Sequence, residues 1–153
     1  MDPSATSTTS ISGSELERQL VVFSLHGESY GMPITSVREI IRYTTPGATG
    51  AANGSIKGMI SLRGHILPVV DFASRIGRTT ELNDATKILV IELNERTFGL
   101  VVDSVDEVLL VPAEAIEQIP VSDAPLGDQI AKLDDRLITI VDPDRALGRA
   151  LAG

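Results

Sequence analysis

Ser61, His65 and Asp71 are three residue types able to act together in nucleophilic catalysis, and they lie within one short stretch. A serine becomes a nucleophile when a histidine takes its proton and a carboxylate orients that histidine. If the intervening turn is the two residues Arg63-Gly64, Leu62 pairs with His65 and Ser61 with Ile66. That register sets Ser61 and His65 on opposite faces of the ribbon. A loop one residue longer would change the parity. No G-x-S-x-G elbow supports the serine. His26 and His65 are the two histidines, far apart and in neither a His-x-x-x-His nor a His-Glu-x-x-His frame. Lys57-Gly58 reverses the Gly-Lys order of a phosphate-binding loop. Asp103, Asp106 and Glu107 fall on a strand and its flank, where carboxylates ordinarily face water. These residues argue against catalysis, and neither a metal site nor a cofactor is expected.

The bulk properties narrow the field further. The chain has 153 residues, no Cys, a formal net charge of −8 and 3% aromatic residues. Lacking Cys, it has no disulfide, thiol nucleophile or thiolate metal site, which fits a reducing cytoplasm. Nucleic-acid binding needs basic patches, with aromatic platforms for single strands, and this composition speaks against both. An acidic surface is also repelled by anionic lipid, and no apolar run approaches the roughly 18 residues of a membrane span. The N-terminus MDPSATSTTSIS lacks the basic and apolar regions of a secretory signal. Neither nucleic acid nor direct membrane contact is expected, and the expected location is the cytoplasm.

The elements that must position any site are short strands. Residues 1–18 read as a flexible tail, with Ser/Thr-rich residues 1–14 having almost nothing to bury. Order begins near Gln19 with QLVVFSL, a turn at His26–Ser29, and Tyr30–Ile34. Ser36–Arg42 predicts a helical turn leading into a strand, and 44–55 is a Gly-rich loop. Ile56–Phe72 reads as a hairpin with one apolar face of Ile56, Ile60, Leu62, Leu67 and Val69. Pro68 marks an edge position or a bulge. A short helix at 72–78 precedes a polar loop at 79–85. A second hairpin joins Lys87–Leu93 to Phe98–Val102 through Asn94-Glu95-Arg96. Val105–Val111 is another strand, Pro112 opens a short helical segment, and 120–129 is a third loop. Leu137–Val141 is a final strand, followed by Asp142 as N-cap and Pro143 as first helical residue. Such a series predicts barrels or a sandwich. No internal repeat is evident, though two hairpins of similar length hint at two similar barrels.

Several segments form a recognisable series: Tyr30-Gly31-Met32-Pro33-Ile34, Val37-Arg38-Glu39-Ile40, Ile56 through Gly64, and Ile66 through Asp71. Phe98 through Leu109 and Arg136 through Asp142 continue it. Together they resemble the CheW family, the coupling proteins of bacterial chemosensory arrays, in order from about residue 19 to 148. The resemblance implies a mainly β fold of two interlocked five-stranded SH3-like β-barrels with a few short helices, one CheW-like domain over 19–149. It implies a non-enzymatic adaptor whose partners are the regulatory domain of the CheA histidine kinase and the cytoplasmic tips of chemoreceptors. Further copies of the adaptor are a third candidate partner. Carried over residue by residue, the partner-binding positions are Arg63 and Gly64 in the Leu-Arg-Gly turn, and Val37 and Glu39. Gly58, Gly99, Val105 and Val108 then lie along a groove for a receptor tip. Gly58 and Gly99 read equally as sites of close backbone approach, and Val105 and Val108 equally as core.

Three departures bear on specificity. Ser61 replaces the usual Asn before Leu-Arg-Gly, Asn53-Gly54-Ser55 replaces a bulkier Pro-containing run, and Ala131 stands where Gly is common. Two rival functions remain at this level. One is a coupling protein for a non-flagellar system driving pili or gliding. The other is a small β-barrel enzyme or ligand binder, which a deep polar pocket with strongly perturbed carboxylates would favour.

Overall fold

The computed structural model describes residues 19–47, 56–75, 77–119 and 126–146. The tail expected at 1–18, most of the loop at 44–55 and much of that at 120–129 lie outside them. Eleven strands are described: β1 (Gln19–Leu25), β2 (Glu28–Pro33), β3 (Val37–Arg42), β4 (Ile56–Leu62), β5 (His65–Asp71), β6 (Lys87–Leu93), β7 (Arg96–Val102), β8 (Ser104–Leu110), β9 (Ile116–Gln118), β10 (Gln129–Leu133) and β11 (Arg136–Ile140). Short 3-10 turns, Ile34–Ser36 and Ala113–Ala115, precede β3 and β9, and a single helical turn, α1 (Phe72–Arg75), follows β5.

The strands form two sheets, ordered β8-β1-β2-β11-β10-β9 and β3-β6-β7-β5-β4. Both wrap round. β8 and β9 stand at opposite ends of the first order, yet only residues 111–115 separate them in the chain. In the second, Gly47 in the segment leaving β3 bridges Met59 on β4. The sixth strand of the first barrel, β9, is thus a three-residue continuation of β8 past Pro112, and five strand positions remain. The chain enters the first barrel, crosses to the second for β3 to β7, and returns, which interlocks the two.

Alternation along the strands explains three hydrophobic clusters. Leu20 and Val22 on β1 point into the first barrel with Ala131, Ile138 and Ile140. Their neighbours Val21, Phe23 and Leu25 point into a core shared by both sheets, where they meet Leu89, Ile91, Phe98 and Leu100. Ile60, Leu67, Val69, Ile88 and Val101 fill the second barrel. The runs LVVF of β1 and ILVI of β6 are unbroken and apolar because both faces of those strands are buried there. Phe23, Tyr30 and Phe72 pack ring on ring at 5.8 to 6.0 Å between centroids.

The hairpin register agrees with expectation: Leu62 pairs with His65, Ile60 with Leu67 and Gly58 with Val69. Ile56 leaves the expected face. A bulge between Ile56 and Gly58 turns it toward the shared core instead. At Pro68 the strand has a partner on one side only, because the parallel ladder to β7 begins at Val69. The expected helix after Pro112 is one 3-10 turn running into β9, and β10 arises within the stretch read as loop and its flank. Its five residues QIAKL, only partly apolar, give little strand signal.

The fold is also a repeat, at which the sequence hinted only through two hairpins of similar length. Hairpin β1–β2, edge strand β3, hairpin β4–β5 and a helical turn are answered in order by β6–β7, β8, β10–β11 and a helical turn at 143–146. Tyr30-Gly31 corresponds to Phe98-Gly99, Val37 to Val105 and Glu39 to Glu107. Even the bulges coincide. Val37 and Glu39 lie opposite Ile91 and Val90, skipping Arg38; Val105 and Glu107 lie opposite Phe23 and Val22, skipping Asp106. The two copies keep apolar class rather than identity, and their equivalent strands enter different barrels, so similarity by eye is slight.

Candidate functional site

The β4–β5 turn is tight because Arg63 and Gly64 both take positive φ, 52° and 82°. Nothing lies within 4 Å of where a Gly64 Cβ would sit, so that residue serves the turn and leaves the tip open. The turn carries Arg63 back toward β3, where its Nη1 donates to Glu39 Oε2. Arg63 stays 69% exposed and Glu39 27%. The hydrogen bond from Arg63 holds the Glu39 carboxyl below the usual carboxylate range; partial burial opposes this, while the charges of Arg63 and Arg38 reinforce it. Arg63 is pushed higher by the same bond. Beside the pair, Arg38 donates to Glu92 Oε1 at 3.2 Å.

Glu39, Arg63, His65 and Ile66 line one open depression of about 470 Å³. Ile66 is 74% exposed at its edge. An exposed apolar side chain beside a structured ion pair suits reversible protein docking, where an apolar anchor and a polar rim share the work. Ile66 and Arg38 were not singled out from sequence; Ile66 reads there as one more strand residue.

The other expected positions divide. Val37 and Val105, half-buried, both pack against the shared core from edge strands of opposite sheets. Val108 on β8 is exposed. Gly58 and Gly99 are buried. A Cβ on Gly58, at φ 150°, would meet the Gly47 carbonyl oxygen at 2.3 Å; one on Gly99 would meet Ile88 Cγ2 at 2.8 Å. The space beside each glycine is filled by the protein itself, so close approach of its own chain accounts for both.

The residues able to do chemistry are dispersed. Ser61 pairs with Ile66, which separates it from His65. The Asp71 carboxylate is buried and engaged: Oδ1 accepts from the Ala73 amide at 3.1 Å and Thr80 Oγ1 at 2.9 Å, and Lys57 Nζ lies 3.7 Å from Oδ2. His26 Nε2 contacts the Thr79 carbonyl at 2.7 Å, and its backbone amide donates to Asp103 Oδ2 at 2.8 Å. Among the described residues no group of three His, Asp or Glu is placed to hold a metal.

Glu39 and Arg63 have an internal counterpart. Glu107 on β8 accepts from Arg136 Nη1 at 2.6 Å, just past the turn of the equivalent β10–β11 hairpin. Leu137 there is 59% exposed, in the place of Ile66. The signal that could have revealed it is the Glu standing at the same distance beyond Tyr30-Gly31 and beyond Phe98-Gly99.

The chain matches the CheW-like domain family over residues 19–151. It is 29% identical over 136 residues to the chemotaxis protein CheW of Bacillus subtilis (strain 168), covering 86% of this chain and 87% of that one. A probable chemotaxis protein CheW of Rhizobium etli is 30% identical over 131 residues, with 82% and 84% covered. Among solved structures, the crystal structure of the scaffolding protein TtCheW from Thermoanaerobacter tengcongensis superposes with a TM-score of 0.76 at 34% identity. It covers 82% of this chain and 89% of its own.

Proposed function

The chain belongs to the CheW family of non-enzymatic chemotaxis scaffolds, and from that premise we propose that it couples chemoreceptors to a CheA histidine kinase in a bacterial chemosensory array. The observation that carries this reading is the β4–β5 tip, where the Glu39–Arg63 pair and exposed Ile66 form an open surface.

In this reading one barrel face docks the kinase's regulatory domain. A groove between the barrels, with Val37 and Val105 along it and Val108 at its rim, takes the helical tip of a receptor. Glu39, Arg63 and Gly64 supply the polar part of the docking surface. Gly58 and Gly99 act indirectly, by letting neighbouring chain segments close up so that the groove strands keep their places. Signalling follows from geometry: the adaptor fixes the kinase where receptor motion biases its activity. Such contacts are modest in area and reversible. The protein would work in the cytoplasm, recruited to arrays at the membrane. No helix of the described residues is long and apolar enough to cross one. Further copies of the chain are a third candidate partner.

The test is reconstitution of kinase, receptor-tip fragments and this chain, with kinase autophosphorylation as readout. The reading expects receptor control of the kinase only when the chain is present, and its loss with Arg63→Glu. Receptor control that is complete without the chain would refute it.

A further inference from the structure

Val105 and Val108 stand three residues apart on β8, and in a regular strand such residues point to opposite faces. Here they share one. Val105 lies opposite Phe23 and Val108 opposite Val21, both members of the shared core, because the bulge places Asp106 between them with no partner in the β1 ladder. Leu110, 62% exposed and opposite Gln19, continues the same face. The bulge is thus what makes β8 an apolar wall beside the groove between the barrels. Among the described residues β8 pairs with β1 alone, so no ladder on its far side holds the extra residue in place.

We infer that Asp106 is a positioning residue for receptor binding: its side chain pins the bulge and so holds Val108 on the face that Val105 begins. Ser24 Oγ donates to Asp106 Oδ2 at 2.7 Å and Ser104 Oγ to Oδ1 at 3.1 Å, so the carboxylate ties β8 to β1 across the bulge. The Asp103 amide donates to the Ser24 carbonyl at 3.0 Å, which joins the same two segments just ahead of it. The other half of the repeat shows that the tie belongs to the bulge. There the skipped residue is Arg38, and its Nη1 reaches Glu92 Oε1 at 3.2 Å. Glu92 has the place in the β6–β7 hairpin that Ser24 has in β1–β2, opposite Thr97 and Ser29 respectively. A guanidinium on a carboxylate has become a carboxylate on a hydroxyl, yet the link from skipped residue to that strand position is present in both. That bulge also sets two aliphatic residues on one face, Val37 and Ile40, opposite Ile91 and Leu89. Asp106 acts through Val108 and not by touching the receptor, and the inference rests on the coupling reading above.

The test is calorimetric titration of the full chain with a receptor-tip fragment from the same organism, run as a double-mutant cycle. Asp106→Ala should weaken binding about fivefold, the worth of one hydrogen-bonded tie. Asp106→Asn should stay within about twofold of wild type, since its amide can accept one serine hydroxyl and donate to the other. In a Val108→Ala background, Asp106→Ala should have almost no further effect, because its route to the receptor is already gone. Ser24→Ala, which leaves the carboxylate in place, should give a smaller loss that likewise vanishes with Val108→Ala. Each variant's urea midpoint reports whether it is folded. Wild-type affinity in both Asp106→Ala and Ser24→Ala, an Asp106→Asn variant as weak as Asp106→Ala, or additive losses in the cycle would each overturn the inference and leave the coupling reading intact. A wild-type chain that binds no receptor tip would instead fail the coupling reading, and the inference with it.

Discussion

The second barrel carries Lys57 beside the buried Asp71 and a basic hairpin tip, with Arg63, His65 and exposed Ile66. The first carries Asp128 and Asp142 in those two places and an acidic turn, Asp134-Asp135, followed by Arg136 and exposed Leu137. Both barrels keep the parts that make the fold. The bulge after Val37 recurs after Val105, the glycine pressed by its neighbours recurs as Gly31 and Gly99, and the glutamate after the bulge again meets a hairpin arginine, Arg136, though from the place of His65. What differs lies at the mouths and tips, where strand pairing makes few demands. A partner can therefore distinguish two faces built on one plan, and the faces need not bind alike.

The largest test of this contrast is an exchange of interior residues. Ile60→Ala gives the second barrel the first barrel's small residue and should cost about 3.5 kcal/mol in urea unfolding, since Ile60 is tightly enclosed. The reverse change, Ala131→Ile, adds bulk to a fully buried position among Leu20, Val22 and Ile138 and should cost about 2 kcal/mol. Equal costs would mean the two interiors are packed alike.

Next come the glycines. Gly58→Ala meets backbone at 2.3 Å and should lose about 2.5 kcal/mol. Gly64→Ala keeps only the strain of positive φ and should lose about 1 kcal/mol. The reverse ranking would show that Gly58 is not held by close approach.

Tyr30 and its counterpart Phe98 offer a pH test. Burial, helped by the hydrogen bond to Glu28, pushes the Tyr30 phenol up from 10.0 to about 12. The neutral phenol is favoured in the folded state, so its contribution is complete below pH 10 and is lost as pH rises toward 12. Tyr30→Phe should remove that alkaline loss and make the position resemble Phe98. An unchanged slope between pH 10 and 12 would contradict the assignment.

The smallest effect on stability belongs to the tip. The Glu39 carboxyl is held low by Arg63, so its contribution is full above the ordinary carboxylate range and fades as pH falls through the depressed value. Glu39→Gln should flatten that acid limb while leaving neutral-pH stability close to wild type, because exposed pairs contribute little. A large loss at neutral pH would recast the pair as structural.

Much of this was legible in the sequence. The β4–β5 register followed from the two-residue turn and the apolar pattern, and Asp142-Pro143 marked a helix start that the hydrogen bonds match. Ile56 was misplaced because a bulge at Lys57 has no compositional signature beyond the nearby Gly58. β10 was missed because only three of its five residues are buried even in part, and Ala131 alone fully. At the site, Arg63 and Glu39 were recognised separately from their motifs, but their meeting depends on a turn geometry that spans both sheet edges.

The central claim is that this chain works by holding a CheA kinase. The most direct test is calorimetric titration of the folded chain with the regulatory domain of a CheA kinase from the same organism. Saturable one-to-one binding, weakened by charge reversal at one hairpin tip and not the other, is the expected result. No binding to any such kinase of that organism would contradict the coupling role and leave only the family and the fold.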